Sequence, residues 1–385
     1  MTEAMGLPSP GQSAVPGSSR RIPNLDGVRA IAILMVLAYH LLALRLLDQT
    51  NHTALWKILR WIGGPGWLGV DLFFVLSGYL ITNMILAGSA KPRFYRRFYT
   101  RRLLRIIPLY LAVLTAVTLY YAMPFRWWLL CAGFGANLTY LFGMSLPRAT
   151  FAFWSLAVEE HYYLFWPTLV RNLSLRWASV TCAAIFLIEP LLRFHYFFAR
   201  PMDVYIATWF RLDGLATGSL IALYYNSSRC SRKRSFRIAV TCVAVAVIGI
   251  AGVAKAGALS SLNSPFATFR STLAYLLFTA LMIAALELPE SRWTAPLRTR
   301  FASLTANLSF CIYLVHAWLG DVLDRVFSFP RNVSGTLVRA LVVLVAAYGV
   351  ALVSRKYLEL PFLRMRPGEN KSPAPETEAA FVRTS

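Results

Sequence analysis

Long apolar runs alternate with short polar, mostly basic segments along nearly the whole chain. The runs fall near 27–47, 67–87, 106–123, 154–170, 177–193, 205–225, 238–254, 266–287, 303–321 and 335–354. Each is close to the length that an α-helix needs to cross a hydrocarbon core. The pattern predicts an all-α polytopic membrane protein of about ten transmembrane helices, because only helices and closed barrels satisfy their backbone groups in lipid. The Gly-, Ser- and Pro-rich start and the closing "KSPAPETEAAFVRTS" read as disordered tails, giving tails over 1–21 and 367–385 around an integral-membrane domain over 22–366. No internal repeat stands out, which counts against an inverted-repeat transporter.

Charge gives the helices a direction. With the N-terminus in the cytoplasm, the inner segments are "KPRFYRRFYTRRLLR" (91–105), "RNLSLR" (171–176), "RCSRKRSFR" (229–237), "RWTAPLRTR" (292–300) and the chain from Arg355 on. Every basic cluster then lies on the cytoplasmic side, as the positive-inside rule favours, and both termini are cytoplasmic. Residues 124–152 do not fit as an ordinary span. A full crossing by "WWLLCAGFGANLTYLFGM" (127–144) would reverse every later segment and put 229–237 on the wrong side. A segment that dips in from the outer side and returns fits better, and it needs protein or a cavity around it.

Composition narrows the function. The chain is 57% hydrophobic and carries a formal net charge of +22. Its Lys and Arg sit between apolar runs rather than on one face, so they read as topology determinants, and nucleic acid is excluded as a partner. The five cysteines are scattered singly, with no paired spacing, so neither a disulfide framework nor a metal site is expected. The stretch after "SSRR" lacks a small-residue cleavage site, so an uncleaved first span is expected rather than an export signal.

Ionisable groups inside the spans carry the candidate chemistry, since charge in a bilayer is costly. In "LDGVRAIAILMVLAYHLL" (25–42), Arg29 and His40 are eleven residues apart. That is three helical turns plus about 20°, so both lie on one stripe roughly 16 Å apart, with Ile33 and Val36 between them and Asp26 near the helix start. "GVDLFFVLSGYLI" (69–81) holds Asp71 among small residues that include Ser77 and Gly78. In "FWSLAVEEHYYLFWP" (153–167), Glu159, Glu160 and His161 point about 100° apart, so at most two of them face one cavity. Arg211 and Asp213 in "RLDGLATG" do not face each other, so each needs a partner from another helix. His316 lies one turn from Tyr313 in "FCIYLVH". Helix anchoring, bundle hydrogen bonds and aromatic belts account for any one of these residues singly.

Taken in order, "LDGVRAIAILMVLAYH", "GVDLFFVLSGYLI", "RRFYTRRLLRIIPLY", "FWSLAVEEHYYLFWP", "RLDGLATG", "FCIYLVH" and "YLELPFLR" resemble the membrane-integral acyltransferase 3 family over roughly residues 22 to 365. The resemblance implies transfer of an acyl group, usually acetyl, from cytoplasmic acyl-CoA to a hydroxyl of a sugar in a cell-surface glycan, a glycolipid or a glycosylated small molecule. It also implies a place in the bacterial cytoplasmic (inner) membrane. Acyl-CoA, typically acetyl-CoA, would be a co-substrate and not a permanently bound cofactor. The family's arginine and histidine eleven apart correspond to Arg29 and His40, and its Arg-x-x-Arg to Arg102 and Arg105. The chain departs from the family at His161, where glutamine is common. Some members carry an esterase-like domain behind an eleventh span, and this chain is expected to lack one.

Under that resemblance His40 is the expected general base, or the site of an acyl-histidine intermediate. Glu159 or Glu160 would orient the imidazole or the sugar, and Arg29 would hold part of the donor or a carboxylate. Arg101, Arg102 and Arg105 are the expected binders of CoA phosphates. Asp71, Ser77, Trp154, Arg211, Asp213, Tyr313 and His316 are the candidate lining of the sugar site. The alternative class is a secondary transporter or sugar-lipid flippase, with the same buried charges forming a proton relay.

Overall fold

The computed structural model describes residues 22–47, 53–144, 146–199, 203–258 and 264–365. The tails expected at 1–21 and 367–385 lie outside the described residues. The chain is an all-α polytopic membrane protein: among the described residues, eight helical stretches are long and apolar enough to cross a membrane. The helices that position the site are α1 (Pro23–Leu47), α2 (Ala54–Gly63), α3 (Leu68–Gly88), α4 (Phe94–Tyr120), α5 (Phe125–Ala132), α6 (Ala152–Asn172), α7 (Leu175–Tyr196), α8 (Leu212–Tyr225), α9 (Arg232–Lys255), α10 (Phe269–Glu287), α11 (Arg300–Val326) and α12 (Val333–Ser354). All ten predicted spans are helical in whole or in part. Of the two outside the eight, α6 has the length but carries Glu159, Glu160 and His161, and α8 is short.

The predicted span over 205–225 is broken. A turn of helix at Asp203–Ile206 and a 3-10 turn at Thr208–Phe210 precede α8, whose 14 residues cover only about 21 Å. The break falls at Arg211, whose backbone leaves helical geometry at φ −135°. The bare amides that follow at the start of α8, those of Leu212 and Asp213, donate to the Glu189 carboxylate at 3.2 and 2.8 Å. A carboxylate at a helix N-terminus is favoured by the helix dipole, so this broken end is satisfied by protein.

The five basic segments gather at one end of the bundle. Arg171 lies over the rings of Phe94 and Tyr95 at 5.1 and 4.8 Å, and Arg93, Arg96, Arg97 and Thr100 line a surface pocket with Met365. Asn24 at the start of α1 donates to Ala285 O, Tyr225 donates to Glu287, and Asn226 donates to Asn83 near the end of α3. These contacts put 91–105, 171–176, 229–237, 292–300 and 355–365 together, as expected. The opposite end carries its own polar ring, with Arg339 bonded to Asp324 through two nitrogens at 2.7 and 2.9 Å and Tyr121 donating to Asp321.

Among the described residues of 125–151, no helix crosses the bundle. The short α5 and a 3-10 turn over Ala136–Phe142 follow α4 at its far end and double back, until Tyr110 donates to Cys131 O at 2.6 Å. Trp127 and Cys131 are fully buried there. Asn137 then donates to Ile206 O and to Thr208, so this segment and the broken stretch before α8 cover each other in the far half of the bundle.

Close helix packing rests on glycine. A Cβ at Gly78 would strike the backbone oxygen of Leu215 on α8, and one at Gly218 would strike Val75 O on α3. Gly69 meets Ala32 O of α1 in the same way. These contacts let α3 lie directly against both α1 and α8, as small residues allow in membrane bundles.

Candidate functional site

His40 sits at a defect in its own helix. Residues Tyr39–Ala43 form a π-turn, so α1 is wound more loosely there; such bulges are frequent at functional sites. The π-turn is supported from outside, because Arg60 of α2 donates to Ala43 O at 3.0 Å and Trp56 donates to Leu46 O at 3.0 Å. His40 is 17 residues along the helix from Pro23 and seven from Leu47, so it lies past the middle of α1, on the far side.

Two groups meet His40 Nδ1: the Val36 carbonyl oxygen at 3.0 Å and His316 Nε2 of α11 at 3.3 Å. The two rings are 5.0 Å apart between centroids. His316 is 1% exposed, and its own Nδ1 faces the carbonyl oxygens of Ile312 and Tyr313 at 3.1 and 2.8 Å. One turn back on α11, Tyr313 shares a 2.5 Å hydrogen bond with Ser155 at the start of α6. Ser155 already donates to Ala152 O, so the Tyr313 hydroxyl is the donor between the two. Among the described residues, none hydrogen-bonds His40 Nε2.

Both glutamates of α6 turn toward the basic end. Glu159 accepts from Ser77 of α3 and from Tyr163 of its own helix, each at 3.0 Å. Arg29 lies within electrostatic reach of the same carboxylate. Arg102 of α4 covers the Tyr163 ring at 3.2 Å, and its terminal nitrogen is 3.9 Å from Glu160. His161 points elsewhere and meets Thr208 at 2.7 Å. The 100° spacing of consecutive helix positions is thus realised as two residues on one face and one on another. Of the two partners expected for the glutamates, the His40 imidazole is not the one they touch: His40 is paired with His316.

Arg211 and Asp213 each take their partner from another helix, as their spacing required. Arg211 pairs with Asp71 of α3, donates to Ser271 of α10 at 3.0 Å, and lies 5.6 Å from the ring centroids of Phe74 and Trp154. Tyr275 donates to Asp71 at 3.1 Å. Asp213 pairs with Arg193 of α7 at 2.7 Å. Arg193 also donates to Phe210 O and to Thr272, each at 2.7 Å, so its charge is held by three acceptors. Glu189 and Arg193 were missed by sequence reasoning although "EPLLR" puts an acid and a base one turn apart in an apolar run. Tyr163 was also missed, because an aromatic residue in a span gives no sign of what lies across from it.

The candidate residues therefore fall into two groups. One is a polar track: Arg102, Glu160, Tyr163, Glu159 and Ser77, with Arg29 beside them, then Ser155, Tyr313, His316 and His40 toward the far end. The other is a fully buried ion cluster: Asp71, Arg211, Asp213, Arg193 and Glu189, which meets the track through Trp154 and Phe74. Arg105 is exposed and lies within electrostatic reach of Glu359, which Arg355 approaches to 3.8 Å, so the "RRLLR" and "YLELPFLR" segments adjoin. Arg101 is half-buried on the turn that also carries Arg102.

A multi-span helical bundle with a charged track through its interior is the scaffold of an integral-membrane enzyme or transporter, in which buried charge is retained for function. The acyltransferase 3 family model, described as an acyltransferase domain, matches residues 22–356, and the chain belongs to that family. It is 26% identical over 378 residues to the peptidoglycan O-acetyltransferase OatA of Listeria monocytogenes, covering 89% of this chain and 56% of that protein. It is 26% identical over 406 residues to the O-acetyltransferase OatA of Staphylococcus aureus strain MRSA252, covering 95% of this chain and 61% of that protein. The chain thus spans little more than half the length of these relatives. No solved structure matches it.

Proposed function

We propose that this protein moves an acyl group, acetyl by preference, from acyl-CoA to a hydroxyl of a sugar-containing acceptor, with His40 as general base. The observation that carries the reading is His40 Nε2, which no described residue hydrogen-bonds, on a π-turn at the end of a buried polar track that leads back to the basic end of the bundle. The basic end is the cytoplasmic face by the positive-inside rule, which puts both termini in the cytoplasm. The protein then belongs to the cytoplasmic membrane of a bacterium. An anionic acyl-CoA meets Arg93, Arg96 and Arg97 at the surface pocket and Arg101, Arg102 and Arg105 further along α4, where guanidinium forks suit phosphate oxygens. Similarity to the peptidoglycan O-acetyltransferase OatA favours a cell-wall glycan as the acceptor.

The chemistry balances without a metal. His40 Nε2 takes the proton of the sugar hydroxyl as its oxygen attacks the thioester carbonyl carbon. The tetrahedral intermediate collapses, the carbon–sulfur bond breaks, and the thiolate recovers the proton from the imidazolium. The products are the sugar ester and free CoA. Tyr313 and Ser155 lie next to His316 along the track, and Glu159, held by Ser77 and Tyr163, has Arg29 within electrostatic reach toward its basic end.

Native membranes supplied with radiolabelled acetyl-CoA test this reading. Label should enter surface glycan with the wild-type protein and not with His40→Ala. A protein that moves a sugar lipid without acyl-CoA dependence would overturn it.

A further inference from the structure

We infer that His316 is the positioning residue that fixes the tautomer of His40, so that Nε2 and not Nδ1 of His40 presents the lone pair. The inference rests on the reading of His40 as general base and adds to it how that base is kept in working form. The argument is a count of protons. Carbonyl oxygens only accept, and two of them face His316 Nδ1 at 3.1 and 2.8 Å, so His316 Nδ1 carries the ring proton and its Nε2 has the lone pair. That lone pair faces His40 Nδ1 at 3.3 Å, and the second neighbour of the same nitrogen is another carbonyl oxygen, that of Val36, at 3.0 Å. With acceptors on both sides, His40 Nδ1 must carry a proton. The opposite tautomer would set its lone pair against two others inside the bundle. His40 Nε2 is left with the lone pair and no described hydrogen-bond partner.

The same contact works during the reaction. When Nε2 takes the hydroxyl proton, His40 becomes an imidazolium, and its Nδ1–H bond to His316 becomes charge-assisted and stronger than in the resting state. An interaction that strengthens only as the reaction proceeds raises kcat and leaves ground-state binding alone. His316 is 1% exposed and touches no open space, so it acts through His40 and not on the sugar directly.

Nitrogen NMR of the full chain in bilayers, with isotope-labelled histidine, tests the tautomer independently of activity. The His40 signals are assigned by their loss in His40→Ala. A protonated Nδ1 and a bare Nε2 support the inference; a protonated Nε2 at neutral pH overturns it. Activity with radiolabelled acetyl-CoA gives the second readout. His316→Leu should lower kcat roughly 10- to 100-fold, the worth of one neutral to charge-assisted hydrogen bond, with KM for acetyl-CoA unchanged. His316→Gln should recover most of the loss, because its amide oxygen can accept from His40 Nδ1. Equal loss in the two variants, or none in His316→Leu, would overturn the role. If His316→Leu fails to insert, the glutamine variant and the wild-type spectrum still decide. Activity surviving in His40→Ala would defeat the general-base reading, while the spectrum would go on judging the tautomer by itself.

Discussion

The Asp71–Arg211 pair offers the sharpest separation of architecture from sugar binding, since sequence reasoning put both residues in the acceptor site. Both side chains are almost fully buried: Asp71 is 0% and Arg211 3% exposed. Asp71→Asn removes the charge that faces Arg211 and leaves the guanidinium with Ser271 and two aromatic faces. An uncompensated buried charge costs about 3–5 kcal/mol, enough to lower the melting temperature of the detergent-extracted protein by several degrees. The double variant Asp71→Asn, Arg211→Gln restores a neutral pair, keeps an amide oxygen for Tyr275, and should recover all but about 1 kcal/mol. Thermal unfolding followed by size-exclusion chromatography reads stability, and incorporation of radiolabelled acetyl groups reads activity. If the pair only braces α3 against α8, the double variant regains both. If either charge holds the sugar, stability returns and activity does not. Asp71→Asn as stable as the wild type would refute the premise that the pair is buried and coupled.

Three further outcomes are expected. His40→Ala should cost about a hundredfold or more in acyl transfer, with the protein still inserted and abundant; retention of more than about a tenth of the activity would remove His40 from the mechanism. In a cysteine-free background, a cysteine at Ser231 should be labelled only from the cytoplasm and one at Ser328 only from outside, and the reverse would invert the assigned topology. Replacing Arg102 and Arg105 together by alanine should raise KM for acetyl-CoA, at about 1.5–3 kcal/mol for each lost charge-assisted contact. The double lysine should recover only part of that, because a point charge replaces a planar fork; full recovery would exclude bidentate phosphate docking.

What the residues alone determine here is periodic or additive. Apolar run length marks the spans, and basic clusters mark the loops that share an end, because hydrophobicity and topology both sum over local sequence. Within one helix, spacing fixes direction, so it is legible that at most two of Glu159, Glu160 and His161 share a face, though not which two. The demand that Arg211 and Asp213 find partners on other helices also follows, since i, i+2 positions cannot meet.

Which partners they find is a property of packing. Gly78 and Gly218 let α3 and α8 approach until Asp71 meets Arg211, and nothing in either segment names the other. The pairing of His40 with His316 spans 276 positions and depends on how α1 and α11 cross. A local exception to helical geometry was equally out of reach: the π-turn at Tyr39–Ala43 is supported by Arg60 and Trp56 from α2, so its cause lies outside the segment that bends. The broken span before α8 is held by Glu189 of α7 for the same reason. Sequence periodicity describes one helix at a time, whereas the choice of partner, and with it the proton on each histidine nitrogen, is decided only when helices distant in the chain come into contact.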